Sequence, residues 1–248
     1  MNKFRLTTLA HKDHLFCSPM SSTKADELVE LLELAASSRV LDVGCGKAEF
    51  LLRAVQRYVA TGVGVDPNGE FLRAARAHAE VRGLGERMQW HEACAADVAL
   101  EPASFDLALC FGSSHAFGSF EQALAALAAL VRPGGQVLIA DPYWRQEPAA
   151  EYLAFLGASA ATHLTHAGNE AAGLAVGLVP LYSCVSNDDE WDHYEGLFCR
   201  AVERFARDHP GDPDAQPFLE RIRAWRECYR RWSRSTLGFG FYLYSKPC

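Results

Sequence analysis

The stretch Val40 to Phe50, VLDVGCGKAEF, constrains this chain more than any other. A run of β-formers, Val40, Leu41 and Val43, ends in Gly44-Cys45-Gly46, and a helix-compatible segment follows to Tyr58. Strand, glycine turn and helix in that order make a nucleotide-type site. Gly44 lets the chain turn with positive φ, and Gly46 has no side chain to keep a ligand from the backbone. Free N–H groups at the helix start favour a carboxylate or a phosphate. Glu49 stands where a GxGxxG motif has its third glycine, which points to a ligand smaller than a dinucleotide. By itself the stretch is equally compatible with an ordinary strand-to-helix turn.

The pattern around it repeats. Met1 to Met20 reads as irregular, and Ser21 or Ser22 caps a helix from Thr23 to Ala36 with Ala25, Leu28, Leu31, Leu32 and Ala35 on one face. Strands are expected at Arg39 to Val43, Ala60 to Val65, Met88 to Glu92, Phe105 to Phe111 and Gln136 to Ala140. Between them lie helices at Ala48 to Val59, Asn68 to Arg82 and Phe120 to Val131, the last stopped by Pro133-Gly134-Gly135. Short apolar strands alternating with helices predict an α/β fold, a parallel sheet covered on both faces. A sixth strand is expected at Val179 to Ser186 and a seventh at Leu237 to Ser245. Between these two, one helix carries Trp191, Tyr194, Phe198, Val202 and Phe205, and a second carries Phe218, Ile222, Trp225, Tyr229 and Trp232. The turn His209-Pro210-Gly211-Asp212-Pro213 joins them. The expected division is an N-terminal cap at 1–22, a core at 23–187 and 236–248, and a helical hairpin lid at 188–235.

The balance of residues narrows the function classes. With 248 residues, 49% of them hydrophobic, there is ample core. A formal charge of −7 counts against a sequence-independent nucleic-acid binder. There is no run of about 20 apolar residues to span a membrane, and the start MNKFRLTTLAHKDH lacks a signal peptide's apolar core. The eight cysteines form no CxxC pair; they read as reduced thiols of a cytoplasmic protein, with no metal site.

Asp66 falls at the end of the second strand, where an acid can accept both hydroxyls of a ribose; a helix N-cap is the plainer alternative. Cys94-Ala95-Ala96-Asp97-Val98 follows the third strand and suits an adenine edge. The order VLDVGCG, GVD, AAD, FDLALC and LVRPGGQVLIADP resembles the class I S-adenosylmethionine-dependent methyltransferases, over Arg39 to Pro142. The resemblance implies a Rossmann-like, mostly parallel sheet of seven strands, its last strand antiparallel and slotted between strands five and six. It implies that Asp42, Gly44 and Gly46 line the methionine end of S-adenosylmethionine, Asp66 and Pro67 the ribose, and Asp97 and Val98 the adenine. Ala48 departs from the pattern, since many members have a third glycine there. More narrowly, the chain is similar to small bacterial enzymes of the ubiquinone-biosynthesis-like group. FCSPMS, GSSHAFG and WDHYE look like one poorly characterised branch of it.

Substrate-side candidates follow. His115, in the loop Gly112 to Gly118, either removes a proton from a nucleophile or shapes the pocket. Tyr143 and Trp144 either wall the acceptor pocket or seat the insertion on the sheet, and Arg145 can bind an anion. Phe16, Trp191 and Tyr194 are expected over the site as part of the covering segments. Arg221, Arg223, Arg226, Arg230, Arg231 and Arg234 read as a solvated helix face partly paired with Glu220 and Glu227. The expectation is methyl transfer to an O, N, S or C nucleophile of a small molecule. The rivals are an S-adenosylmethionine-binding sensor without transferase activity, a nicotinamide-dependent oxidoreductase, and an enzyme acting on RNA or protein, against which the acidic charge weighs.

Overall fold

The computed structural model describes residues 4–248; the first three residues of the expected 1–22 cap lie outside them. Seven strands form one sheet: β1 (Arg39–Val43), β2 (Thr61–Val65), β3 (Met88–His91), β4 (Phe105–Phe111), β5 (Val131–Trp144), β6 (Val179–Val185) and β7 (Leu237–Ser245). Their spatial order is β3-β2-β1-β4-β5-β7-β6. The first five pair in parallel, and β7 runs antiparallel to both β5 and β6. This is the Rossmann-like sheet that the resemblance implied.

Alternation along each strand feeds two cores. Val40, Leu107, Leu109, Leu138, Ala140, Phe239 and Phe241 meet α2 (Ser22–Glu30), α3 (Glu49–Tyr58) and α4 (Gly69–Val81) on one face. Leu41, Val43, Cys110, Val137, Ile139, Tyr242 and Tyr244 meet α5 (Phe120–Leu130) and α7 (His166–Ala175) on the other. Between them lies the short α6 (Ala150–Leu156).

Three expectations are corrected. The N-terminal segment is not wholly irregular: α1 (Arg5–Ala10) forms because Leu6, Leu9 and Ala10 find an apolar partner in Val202, Phe218 and Ile222 of the hairpin. The helix expected to run to Ala36 stops at Glu30, and the Glu33 amide leaves the helical ladder to donate to Gln136 Oε1 at 2.8 Å. β5 is far longer than Gln136 to Ala140, because nine residues of β7 pair with it as far as Trp144↔Leu237. Pro142 is tolerated there because β4 has already ended, so its missing N–H breaks no ladder on that side.

The hairpin is α8 (Asp188–Asp208) and α9 (Ala215–Cys228), the latter continuing through a π turn at Tyr229–Ser233. Both aromatic stripes face inward. The arginines pair differently from the expectation: Arg223 and Arg226 of α9 reach Glu203, and Arg234, just past the π turn, reaches Asp192, both acids lying on α8 rather than at Glu220 or Glu227.

Ala48 is the first residue before α3 and adopts φ 58°, ψ 24°, the left-handed region. The glycine that the resemblance implies for many members at this position would therefore have a backbone cause. A left-handed alanine costs about 1–2 kcal/mol; its buried methyl returns about 0.8 kcal/mol. Ala48→Gly is expected to shift stability by less than about 1 kcal/mol in urea unfolding. A loss above about 2 kcal/mol would mean that packing outweighs backbone strain here.

Candidate active site at the glycine turn

The turn after β1 is built by two glycines with positive φ, Gly44 at 72° and Gly46 at 54°. Gly44 and Cys45 donate their N–H groups to the Val65 carbonyl at 2.8 and 3.1 Å, which ties the turn to the end of β2. A Cβ built on Gly44 would overlap the Ser113 side chain, so glycine is required for the loop after β4 to sit this close. Glu49, one turn further on, is buried and paired with Arg53 and Arg82, a structural role.

Asp66 is buried at the end of β2. Its Oδ2 accepts the Gly46 N–H at 2.9 Å and its Oδ1 accepts the Asn68 N–H at 2.8 Å. The helix N-cap is a different residue, Asn68, whose Oδ1 accepts from the Glu70 amide. A carboxylate has about four lone-pair sites, so the two amides orient the group and leave one acceptor direction free on each oxygen. Two parallel acceptors match the paired hydroxyls of a ribose. Burial raises the Asp66 carboxyl above its ordinary range, against the pull of the two amides.

Asp42, on β1, lines a small cavity of about 30 Å³ with Gly44, Cys45, Lys47, Phe50 and Phe111. Burial, followed by the charge of Asp66, pushes its carboxyl up to about 7. The proton is thus favoured by the folded state, and the Asp42 contribution to stability falls as pH rises toward about 7. Pro67 is half-buried beside Asp66. Asp97 stands exposed in the turn Ala95–Asp97 after β3, and Val98 is partly buried against the α5 core. All these residues collect at the carboxyl ends of the parallel strands, as a doubly wound sheet requires.

The roof comes from the N-terminal segment. Phe16 is buried in the core beneath it, and Cys17 Sγ would lie 3.2 Å from a Cβ at Gly46. Ser186 Oγ donates to the Pro19 carbonyl, and Glu190 accepts from the Ser21 amide and from Lys24. Phe16 and Tyr194 line one cleft of about 310 Å³ with Ser18, Met20 and His193. Trp191 packs against Tyr229 and Phe239, and its indole N–H is buried without an acceptor among the described residues.

Two candidates are displaced from the site. Trp144 is 6% exposed and belongs to a satellite core with Tyr152 and Cys228; its Nε1 donates to the Ala160 carbonyl at 2.9 Å. Tyr143 points to the opposite face, with its ring 5.2 Å from His166 and over Gly238. Trp144 seats the insertion through Cys228, Tyr143 lies against α7 and β7, and neither lines the cavities at the glycine turn, because β5 keeps its alternation past the end of β4. Arg145 is likewise engaged, with Asp188.

His115 is exposed on the turn Ser114–Ala116. The buried member of that loop is Ser114, whose Oγ donates to Asp141 Oδ2 at 2.8 Å. Asp141 is itself buried, and desolvation raises its carboxyl to about 7 against that hydrogen bond. The pair links the turn after β4 to β5 just beyond the last β4–β5 pairing, and went unseen in the sequence, where only the adjacency of parallel strands could have suggested it. Among the described residues no group of three or more His, Cys, Asp or Glu could hold a metal ion. No helix among them is long and apolar enough to cross a membrane.

Residues 40–135 match the family model described as a methyltransferase domain. The uncharacterised protein YjhP of Escherichia coli (strain K12) is 30% identical over 241 residues, 96% of each chain. A SAM-dependent methyltransferase from Geobacter sulfurreducens, crystallised with S-adenosyl-L-homocysteine, superposes with a TM-score of 0.90 at 26% identity, covering 97% of both chains. The ubiquinone biosynthesis O-methyltransferase of Aeromonas salmonicida is 32% identical over 121 residues, about half of each chain (48% and 49%).

Proposed function

The chain belongs to the class I S-adenosylmethionine-dependent methyltransferases, and on that premise we propose that its methyl acceptor is a small molecule reaching the glycine turn beneath the N-terminal segment and α8. The observation that carries this is the roof. The turn is covered by Phe16, Cys17 and Ser18, and the cleft between that cover and α8 holds about 310 Å³, the size of a small organic ligand.

S-adenosylmethionine supplies an electrophilic methyl group on a sulfonium sulfur. The residues present fit it. Asp66 offers two oriented acceptors to the ribose hydroxyls and Asp42 a carboxylate to the ammonium, and the turn at Gly44 and Gly46, beside Ser113 and Cys17, is proposed for the methionine end. Asp97 and Val98 are proposed for the adenine side. Phe16 and Tyr194 exclude water from the cleft, while Phe111 closes the small cavity at the turn and Trp191 packs behind them in the core. Most of the acceleration is then positional. Asp141 holds Ser114, and so holds the neighbouring Ser113 against Gly44. From its exposed place, His115 can take a proton only from an acceptor that enters on the solvent side of the loop.

An ammonium beside Asp42 favours the ionised acid. Binding of S-adenosylhomocysteine below about pH 7 is therefore expected to release a proton, with affinity rising up to about pH 7 and levelling above it. Calorimetry in buffers of different protonation enthalpy checks this; a buffer-independent heat would remove Asp42 from the ammonium role. The acceptor class is tested with S-adenosylmethionine labelled in its methyl group. The labelled cofactor is incubated with separated metabolite, RNA and protein fractions. Label in the metabolite fraction alone is expected; label in RNA or protein would overturn the small-molecule reading. Tight cofactor binding with no transfer to any fraction would favour a sensor.

A further inference from the structure

We propose that Lys47 is a positioning residue that fastens the N-terminal strap over the cofactor turn, and that it is not the ligand of the cofactor's carboxylate. The inference rests on the placement of the methionine end against Gly44 and Gly46. Lys47 is the one basic side chain lining the small cavity there, so a carboxylate would be its obvious partner. Its hydrogen bonds argue otherwise. Nζ donates to the carbonyls of His11 at 2.6 Å, Lys12 at 3.2 Å and His14 at 2.7 Å. An ammonium has three donors, and all three are placed on one stretch of backbone.

Those carbonyls belong to the segment that leaves α1: His11 is the residue that ends the helix, and Lys12 and His14 lie beyond it. Lys47 therefore gathers the backbone of this loop from 33 to 36 residues away. From His14 the strap runs down to Phe16 and to Cys17, which rests on Gly46. Its outer side is held by Tyr194, whose hydroxyl meets His11 Nε2 at 2.9 Å and whose carbonyl meets His14 Nε2 at 2.8 Å. Lys47 also lines the large open cleft of about 790 Å³ on the far side of the strap. It stands in the wall between an open space and a cradle of about 30 Å³, and it is the tie that keeps them apart. Burial lowers the ammonium's pKa, in keeping with a dry, fully used donor.

Lys47→Met keeps the length of the side chain and removes every donor. In the full chain without ligand, amide hydrogens of residues 9–18 are expected to exchange about tenfold faster, as for the loss of charged hydrogen bonds that hold a segment closed. Affinities for S-adenosylhomocysteine and for 5′-methylthioadenosine, the same nucleoside without the amino-acid end, should weaken by the same factor. Unchanged exchange, with a loss confined to S-adenosylhomocysteine, would identify Lys47 as the carboxylate's ligand and overturn the proposal. Failure of the cofactor placement shows separately, as wild-type protein that binds neither nucleoside. Should Lys47→Met not fold, Lys47→Gln removes the charge, shortens the reach and leaves too few donors for the three carbonyls. Faster exchange in 9–18, with both ligands weakened alike, is again the expected result, and unchanged exchange overturns the proposal.

Discussion

Asp66→Ala abolishes measurable cofactor binding, the largest functional effect expected of any single substitution in this chain. Two charge-assisted hydrogen bonds to the ribose disappear, at about 1.5–3 kcal/mol each, so affinity for S-adenosylhomocysteine falls by roughly 100-fold or more. The same change has a structural cost. The amides of Gly46 and Asn68 lose their acceptor inside the protein, at about 1–3 kcal/mol apiece. The variant should fold with a lower urea midpoint and bind nothing by calorimetry. Unchanged affinity would take the ribose away from Asp66.

Gly44→Ala is expected to damage fold and site together. The new methyl meets Ser113 in a backbone conformation with φ of 72°. Left-handed strain and overpacking each cost about 1–3 kcal/mol. The cheapest relief is to push the loop after β4 away from the turn, which spoils the alignment that Asp141 and Ser114 enforce. Transfer activity should drop by roughly two orders of magnitude, on the principle that a displacement of about 1 Å in a positioned site costs that much. Ser113→Gly in the same chain opens the space and should restore part of the stability but not the strain component. If the double variant is no more stable than Gly44→Ala alone, the Ser113 contact is not what glycine is there to permit.

The parallel half of the sheet was legible because each of its signals is local. Strand, turn and helix at Val40 to Tyr58 lie within one span of sequence, and Arg39 to Val43 and Phe105 to Phe111 emerge with the bounds expected for them. What was not legible depends on partners far away in sequence. Periodicity alone could not show that Leu6, Leu9 and Ala10 would find the hairpin and become helical. Trp144 and Tyr143 read as pocket walls because strand five was expected to end at Ala140. Once β7 extends it, alternation sends the two rings to opposite faces and out of the site. The Asp141–Ser114 bond and the Lys47 tie join residues 27 to 36 apart across a turn or between strands, and nothing in either local sequence announces them.

The contacts from Pro19 to Ser186 and from Ser21 and Lys24 to Glu190 span 166 to 169 residues. Closing so long a loop is entropically slow. During synthesis the strands from Arg39 to Trp144 can pair well before Glu190 leaves the ribosome, and synthesis of the intervening residues takes seconds. For that interval the cover over the glycine turn has its Lys47 tie but lacks the outer contacts to Ser186 and Glu190.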